Sequence, residues 1–140
     1  MSVSTISNKS LILADHLLTA TYPLVNDPKL LLGVLEHIRS YYVQVTPLIL
    51  QKQGMQPLAS IQGQLEQLKI QQLLPALQVQ NIVRVVELHN RHQQSPVTFR
   101  KQERFVFCDT VYGLDILTED KIKKELQLAK KLHTHIQVHL

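Results

Sequence analysis

Apolar residues recur along this chain at spacings of three and four, and they switch to strict alternation only in one short region. Successive side chains on a helix lie about 100° apart, so that spacing predicts amphipathic helices. From Ser7 to Val25, Leu11, Ala14, Leu18 and Val25 share a face, widened by Leu17 and Leu24. Tyr22-Pro23 predicts a kink or an early stop in this first helix, because proline lacks the N–H and crowds the preceding turn. Asp27-Pro28 is a start signal, Asp as cap and Pro at the first helical position. A second helix is predicted from there to Gln53, closed by Gly54. Its stripe is Leu31, Val34, Leu35, Ile38, Tyr42, Val45 and Ile49. Pro47 would cost about 3 kcal/mol in a regular helix interior, so a bend is expected between Val43 and Pro47. Tyr42 falls in the core and Tyr41 at its rim; stacking of the pair on nucleic-acid bases is the alternative. Residues 54–59 form a connection, and a third helix is expected from Ser60 to Leu74, with Pro75 as its break.

The stretch from Gln80 to Phe99 is the most informative. Ile82, Val83, Val85 and Val86 fall on one apolar arc, and Gln80, Arg84, Glu87 and Arg91 fall opposite. His89 lands in the middle of the arc and His92 near its edge. β-Branched residues are mediocre helix formers, so burial rather than propensity must hold this helix. Pro96 ends it. Two short runs, Val97–Arg100 and Arg104–Cys108, then flank a polar turn and read as a β-hairpin at about 97–108, with Phe99, Phe105 and Phe107 sharing a face. Residues 109–117 are expected to be a loop. Thr118, followed by Glu119 and Asp120, starts a last helix whose stripe is Ile122, Leu126, Ala129, His133 and Ile136. The expected fold is mainly α: one domain over residues 1–140, an antiparallel bundle of about five helices with a small hairpin before the last helix.

Composition changes this picture little. The chain has 140 residues and a formal charge of +4, which permits contact with nucleic acid without requiring it. Most of the 15 Lys and Arg residues follow Asn90, so the excess is partly local. Gln is frequent, and it falls mainly on predicted helix surfaces as a neutral solvated face. Cys108 is the one cysteine, which excludes an internal disulfide and fits a reducing compartment. No apolar run approaches the ~20 residues a bilayer requires, and no signal peptide is evident. The expected location is the cytoplasm, with no membrane contact and no small-molecule cofactor.

Few residues carry chemistry. The four glycines are scattered, so there is no phosphate-cradling loop. A lone cysteine excludes a structural zinc finger. His133, His135 and His139 have partial metal-ligand spacing but no carboxylate partner, so no metal is expected. Arg100, Lys101 and Arg104 crowd the hairpin tip. With Arg91 they are the candidate nucleic-acid contacts, and a solvated turn kept polar for solubility is the competing explanation. The lysines of the last helix, Lys123, Lys124, Lys130 and Lys131, form a solvated face by the same reasoning.

Arg84 and His89 form an Arg-x4-His pair, similar to the Arg-x(4–6)-His signature of HEPN domains. That resemblance implies a small helical bundle that dimerises. It also implies, as in several members, metal-independent RNA cleavage with His in proton transfer and Arg on the phosphate. The chemistry is coherent, since RNA carries its own 2′-hydroxyl nucleophile and imidazole titrates near neutrality. Arg84 and His89 lie roughly 140° apart on an ideal helix, so they would meet across a dimer interface rather than within one chain. A hydrogen-bonded core histidine is the other explanation of His89. A second resemblance covers more of the chain. The runs ADHLL, TYPLV and KLLLGVLEHI, then His92-x2-Ser95-Pro96-Val97-x-Phe99-Arg100-Lys101, FVFCD and LTEDKIKKEL, look like a set of uncharacterised archaeal-type helical proteins. It implies a shared fold of helices with a hairpin before the last one, a polar centre at His92-Ser95, and no activity. The leading expectation is therefore a binding or assembly module, homodimeric and RNA-associated. The alternative is an endoribonuclease using Arg84, His89 and His92, and a scaffold subunit of a larger enzyme is a third class.

Overall fold

The first rod accommodates its proline without breaking. In the computed structural model, which describes residues 6–93, 97–101, 104–108 and 114–139, α1 (Lys9–His16) continues through a π-helical segment (Leu17–Thr21) into α2 (Tyr22–Val25). Pro23 cannot donate to the carbonyl four residues back, and its ring would crowd it. A widened turn just before it relieves both problems. Asn26 ends the rod in the left-handed region, and its N–H donates to the Tyr22 carbonyl at 2.7 Å.

Asp27 caps a tight turn rather than the long helix itself. Its carboxylate accepts the Lys29 N–H at 3.0 Å, and the Leu30 N–H donates to the Asp27 carbonyl at 2.9 Å. Regular helix begins later than the sequence pattern indicates, as α3 (Leu30–Lys52), and it carries Pro47 within it. Gly54, at φ 78°, closes α3. There the Met55 N–H reaches the Leu50 carbonyl at 2.9 Å and the Gly54 N–H the Gln51 carbonyl at 3.0 Å, the paired bonds of a Schellman cap.

Ser60 caps α4 (Ile61–Ile70), accepting the Gly63 N–H at 3.0 Å. This helix stops short of the expected Leu74. Gln72 turns left-handed at φ 53°, and the Leu73 N–H bonds back to the Leu68 carbonyl at 3.2 Å. Glutamine amides hold the connection before α4. Gln67 accepts the Leu58 N–H and donates to the Gln56 carbonyl, both at 2.9 Å, and Gln64 donates to the Leu58 carbonyl at 2.8 Å. These glutamines are clips, where composition alone gave a neutral solvated face.

α5 (Ala76–Gln93) starts directly after Pro75. Ser95 and Pro96 lie outside the described residues. Three strands follow, β1 (Val97–Lys101), β2 (Arg104–Cys108) and β3 (Leu114–Leu117), in the antiparallel order β1-β2-β3. β3 is a correction, because residues 109–117 were expected as loop. So is the register. It pairs Phe99 with Val106, but Phe105 with Arg100 and Phe107 with Thr98. Phe99 therefore belongs to the opposite row of positions from the other two phenylalanines. Thr118 accepts the Lys121 N–H at 3.3 Å and opens α6 (Glu119–His139).

The protein is thus mainly helical, a bundle built around α3, which touches α1, α4, α5 and α6. Leu31, Leu35, Ile38, Ile49 and Leu50 of α3 are fully enclosed. They meet Ile82, Val85 and Val86 of α5 and Ile122, Leu126, Ala129 and Ile136 of α6 in one core. Tyr41 is enclosed as completely as Tyr42, so its expected place at the rim is wrong. Gly33 permits close approach of the first rod, since a Cβ there would lie 2.8 Å from Leu17 Cδ2. Among the described residues no helix is long and apolar enough to cross a membrane.

Candidate functional site

α5 presents three chemically distinct faces. On the first, Arg84 reaches across to α6. Its Nε donates to Glu125 Oε2 and its Nη2 to Glu125 Oε1, each at 2.7 Å. Nη2 also donates to Asn81 Oδ1 at 2.9 Å. This fork-on-fork arrangement is the strongest ion-pair geometry available to arginine. The bond to Glu125 pushes the guanidinium's pKa up. Glu125 is buried on the apolar stripe of α6. Its helical phase, one turn from Ile122 and Ala129, is the signal that could have found it, because a carboxylate in an apolar stripe needs a cation opposite.

Beside this pair lies a tyrosine cluster. The Tyr41 hydroxyl is 2.9 Å from His133 Nδ1, and the two rings meet edge to face with centroids 5.6 Å apart. Burial raises the Tyr41 pKa, with Tyr42 adding to it, so the phenol keeps its proton and shares a hydrogen bond with Nδ1. Burial lowers the pKa of the His133 imidazole. The Tyr42 hydroxyl is buried without a hydrogen-bond partner. Its pKa is raised by burial first and then by Glu125, while Arg84 opposes. These residues tie α3, α5 and α6 together through polar bonds inside the core.

The second face carries His89 and His92, both half-buried. His89 Nδ1 has no hydrogen-bond partner, and neither does the Nε of Arg39 on α3. Burial lowers the His89 pKa, Arg39 and His92 lower it further, and Glu36 works against them. His89 is accordingly a neutral imidazole at pH 7, near an arginine of α3. The sequence pattern pairs it with Arg84, whose Nε and Nη2 are instead engaged by Glu125 and Asn81. Arg39 carried no sequence signal, because one arginine on a helix flank is ordinary. His135 and His139 stack at 4.6 Å, and among the described residues no three His, Cys, Asp or Glu side chains gather as metal ligands.

The third face of α5 lines a groove of about 940 Å³ against the end of α4. Leu73, Leu74, Pro75, Ala76, Val79 and Val83 form its apolar part, and Lys69, Arg84, Glu87 and Arg91 its charged margin. Ile70 (66 % exposed) and Leu77 (73 % exposed), the chain neighbours of the lining residues Lys69 and Ala76, are exposed outside the lining. Of the expected nucleic-acid contacts, Arg91 is on this margin. In the hairpin register Arg100 pairs with Phe105 and Lys101 with Arg104. Comparison with protein-family models, with curated proteins and with solved structures finds no match to the chain.

Proposed function

We propose that the protein is a small cytoplasmic binding module that performs no chemistry itself and receives a partner along the groove between α4 and α5. The observation that supports this is the groove itself, whose apolar lining includes the exposed Pro75 and Ala76 and the half-buried Leu73 and Val83. A concave surface with apolar side chains and a charged margin is a shape on which a partner can seat. The described part of the lining holds no aromatic ring, so it lacks the stacking platforms of single-strand nucleic-acid sites. That favours a protein partner, with RNA contact through Arg91, Arg100, Lys101 and Arg104 as the competing outcome. The test places a photo-crosslinking residue at Leu77 and, as control, at Leu24, which is 87 % exposed on the first rod. A discrete protein adduct from Leu77 alone is expected. Adducts of equal yield from both positions, or an RNA adduct, would sink the reading.

A second reading, a metal-independent endoribonuclease, is favoured by the neutral His89 near Arg39. In it His89, or His92, moves the 2′-hydroxyl proton, and an arginine neutralises the phosphate. Cleavage of a mixed single-stranded RNA in EDTA by the folded wild type, lost in His89→Ala or His92→Ala, would establish it in place of the binding module.

A further inference from the structure

Three histidines stand near the end of α6, one of them used by the core and two of them not. His133 is buried on the apolar stripe, with Nδ1 on the Tyr41 hydroxyl. His135 and His139 lie one helical turn apart on another face, the first half-buried and the second exposed. Among the described residues no hydrogen bond or ion pair occupies either ring. Their ring centres are 4.6 Å apart, and the ring planes are tilted by 40°. A metal–imidazole bond of about 2.1 Å puts the metal roughly 3.2 Å from the ring centre. Two imidazoles on one ion then have centres roughly 4.5 Å apart at a right angle, and roughly 5.2 Å apart at the tetrahedral angle. The separation in this protein matches the right angle, the cis arrangement of a tetragonal ion rather than a tetrahedral one.

We propose that His135 and His139 form a two-point chelate for a divalent copper ion, with water in its remaining positions. Each imidazole supplies one lone pair and displaces one water from the ion. Tetragonal nitrogen coordination suits Cu2+, and affinity among the first-row divalent metals peaks there. The place on the helix adds to the attraction. His139 lies in the last turn of α6, where the final carbonyls carry partial negative charge that favours a cation. His133 stays with Tyr41 and takes no part, so the site has two protein ligands and none from the core.

The experiment titrates the full chain, free of any affinity tag, with Cu2+ and separately with Zn2+ in a weakly coordinating buffer. Calorimetry gives the affinities, and electron paramagnetic resonance of the Cu2+ complex gives the ligands. One Cu2+ per chain is expected, held more tightly than Zn2+, with nitrogen couplings from two imidazoles. His135→Ala and His139→Ala should each weaken binding at least about tenfold, because the second arm of a chelate acts at high effective concentration. His16→Ala, which removes an exposed histidine of α1, should leave the affinity unchanged. His139→Ala combined with Gln137→His keeps the number of histidines but turns the second one to the opposite side of the helix. That double variant should bind as weakly as His139→Ala. Circular dichroism confirms that each variant is folded. Affinity unchanged in both single variants means an adventitious ion only and overturns the proposal. So does a double variant that binds like the wild type, since histidine number and not spacing then decides. Zn2+ held as tightly as Cu2+, or no Cu2+ bound by the folded wild type, overturns it as well.

Discussion

Replacing Arg84 with alanine leaves the Glu125 carboxylate where it is and removes both of its guanidinium bonds, each 2.7 Å long. The cost depends on which partner is enclosed. The Glu125 side chain is 11 % exposed and that of Arg84 45 %. An exposed pair contributes about 0–1 kcal/mol, and stripping one partner from a buried pair costs about 3–5 kcal/mol. Here the enclosed member is left unpaired but its partner's site is open to water, so the expected loss falls between these limits, about 2 kcal/mol. Glu125→Gln keeps one acceptor and leaves the half-exposed guanidinium able to reach solvent, so about 1 kcal/mol is expected. Arg84→Lys keeps the charge without the fork and should fall between Arg84→Ala and the wild type. Urea unfolding followed by circular dichroism measures all three, and the alanine variant should also melt roughly 6–10 °C lower. A loss below about 0.5 kcal/mol for Arg84→Ala would refute the structural role assigned to the pair. An undiminished fold with RNA cleavage abolished would instead move Arg84 into the chemistry.

Three further outcomes follow from the same core. Tyr41→Phe removes the hydrogen bond to His133 Nδ1 and should cost about 1 kcal/mol in urea unfolding; a stability equal to wild type would show the bond to be dispensable. His89 and His133 both have lowered pKa values, from burial first. The unfolded chain therefore takes up protons more readily than the folded one. Their contribution to stability is complete above the unfolded value of about 6.5 and is lost as the pH falls below it. A urea midpoint unchanged between about pH 7.5 and about pH 5 would contradict this. Gln72, left-handed at φ 53°, bears a side chain where glycine is preferred, so Gln72→Gly should stabilise by about 0.5 kcal/mol. A destabilised variant would show that the glutamine side chain contributes more than its backbone strain costs.

The helices were legible because their burial is periodic. The stripes of α3, α5 and α6 are written at three- and four-residue spacing, and the core repeats them residue for residue at Leu31, Leu35, Ile38, Ile82, Val86, Ile122 and Ile136. Helix ends were less legible. Gln72 closes α4 although nothing in its residue type demands φ > 0, and Pro23 is absorbed by a π turn that composition does not announce. β3 was missed because Leu114–Leu117 is too short to show alternation. At the candidate site, the sequence pattern singled out Arg84, His89 and His92, and all three lie on α5. It could not supply their partners, because Glu125, Tyr41 and Arg39 are distant in the chain and each looks ordinary in its own window. The groove was invisible for a related reason. It is formed where α4 ends early, and that ending was misplaced.

The amide clips of Gln64 and Gln67 give the connection before α4 a different sensitivity from the rest of the molecule. Neither group carries a charge, so acid does not break them by protonation and added salt does not screen them. The seam of α3, α5 and α6 includes the His133 imidazole and lies near His89, both with pKa values lowered by burial, so acid disturbs it. Acidification should therefore loosen the bundle from its centre outward, with the Gln56–Leu58 strap among the last segments to let go. Amide exchange at Leu58, whose N–H is bonded to Gln67, would then lag behind exchange in α5 as the protein is titrated.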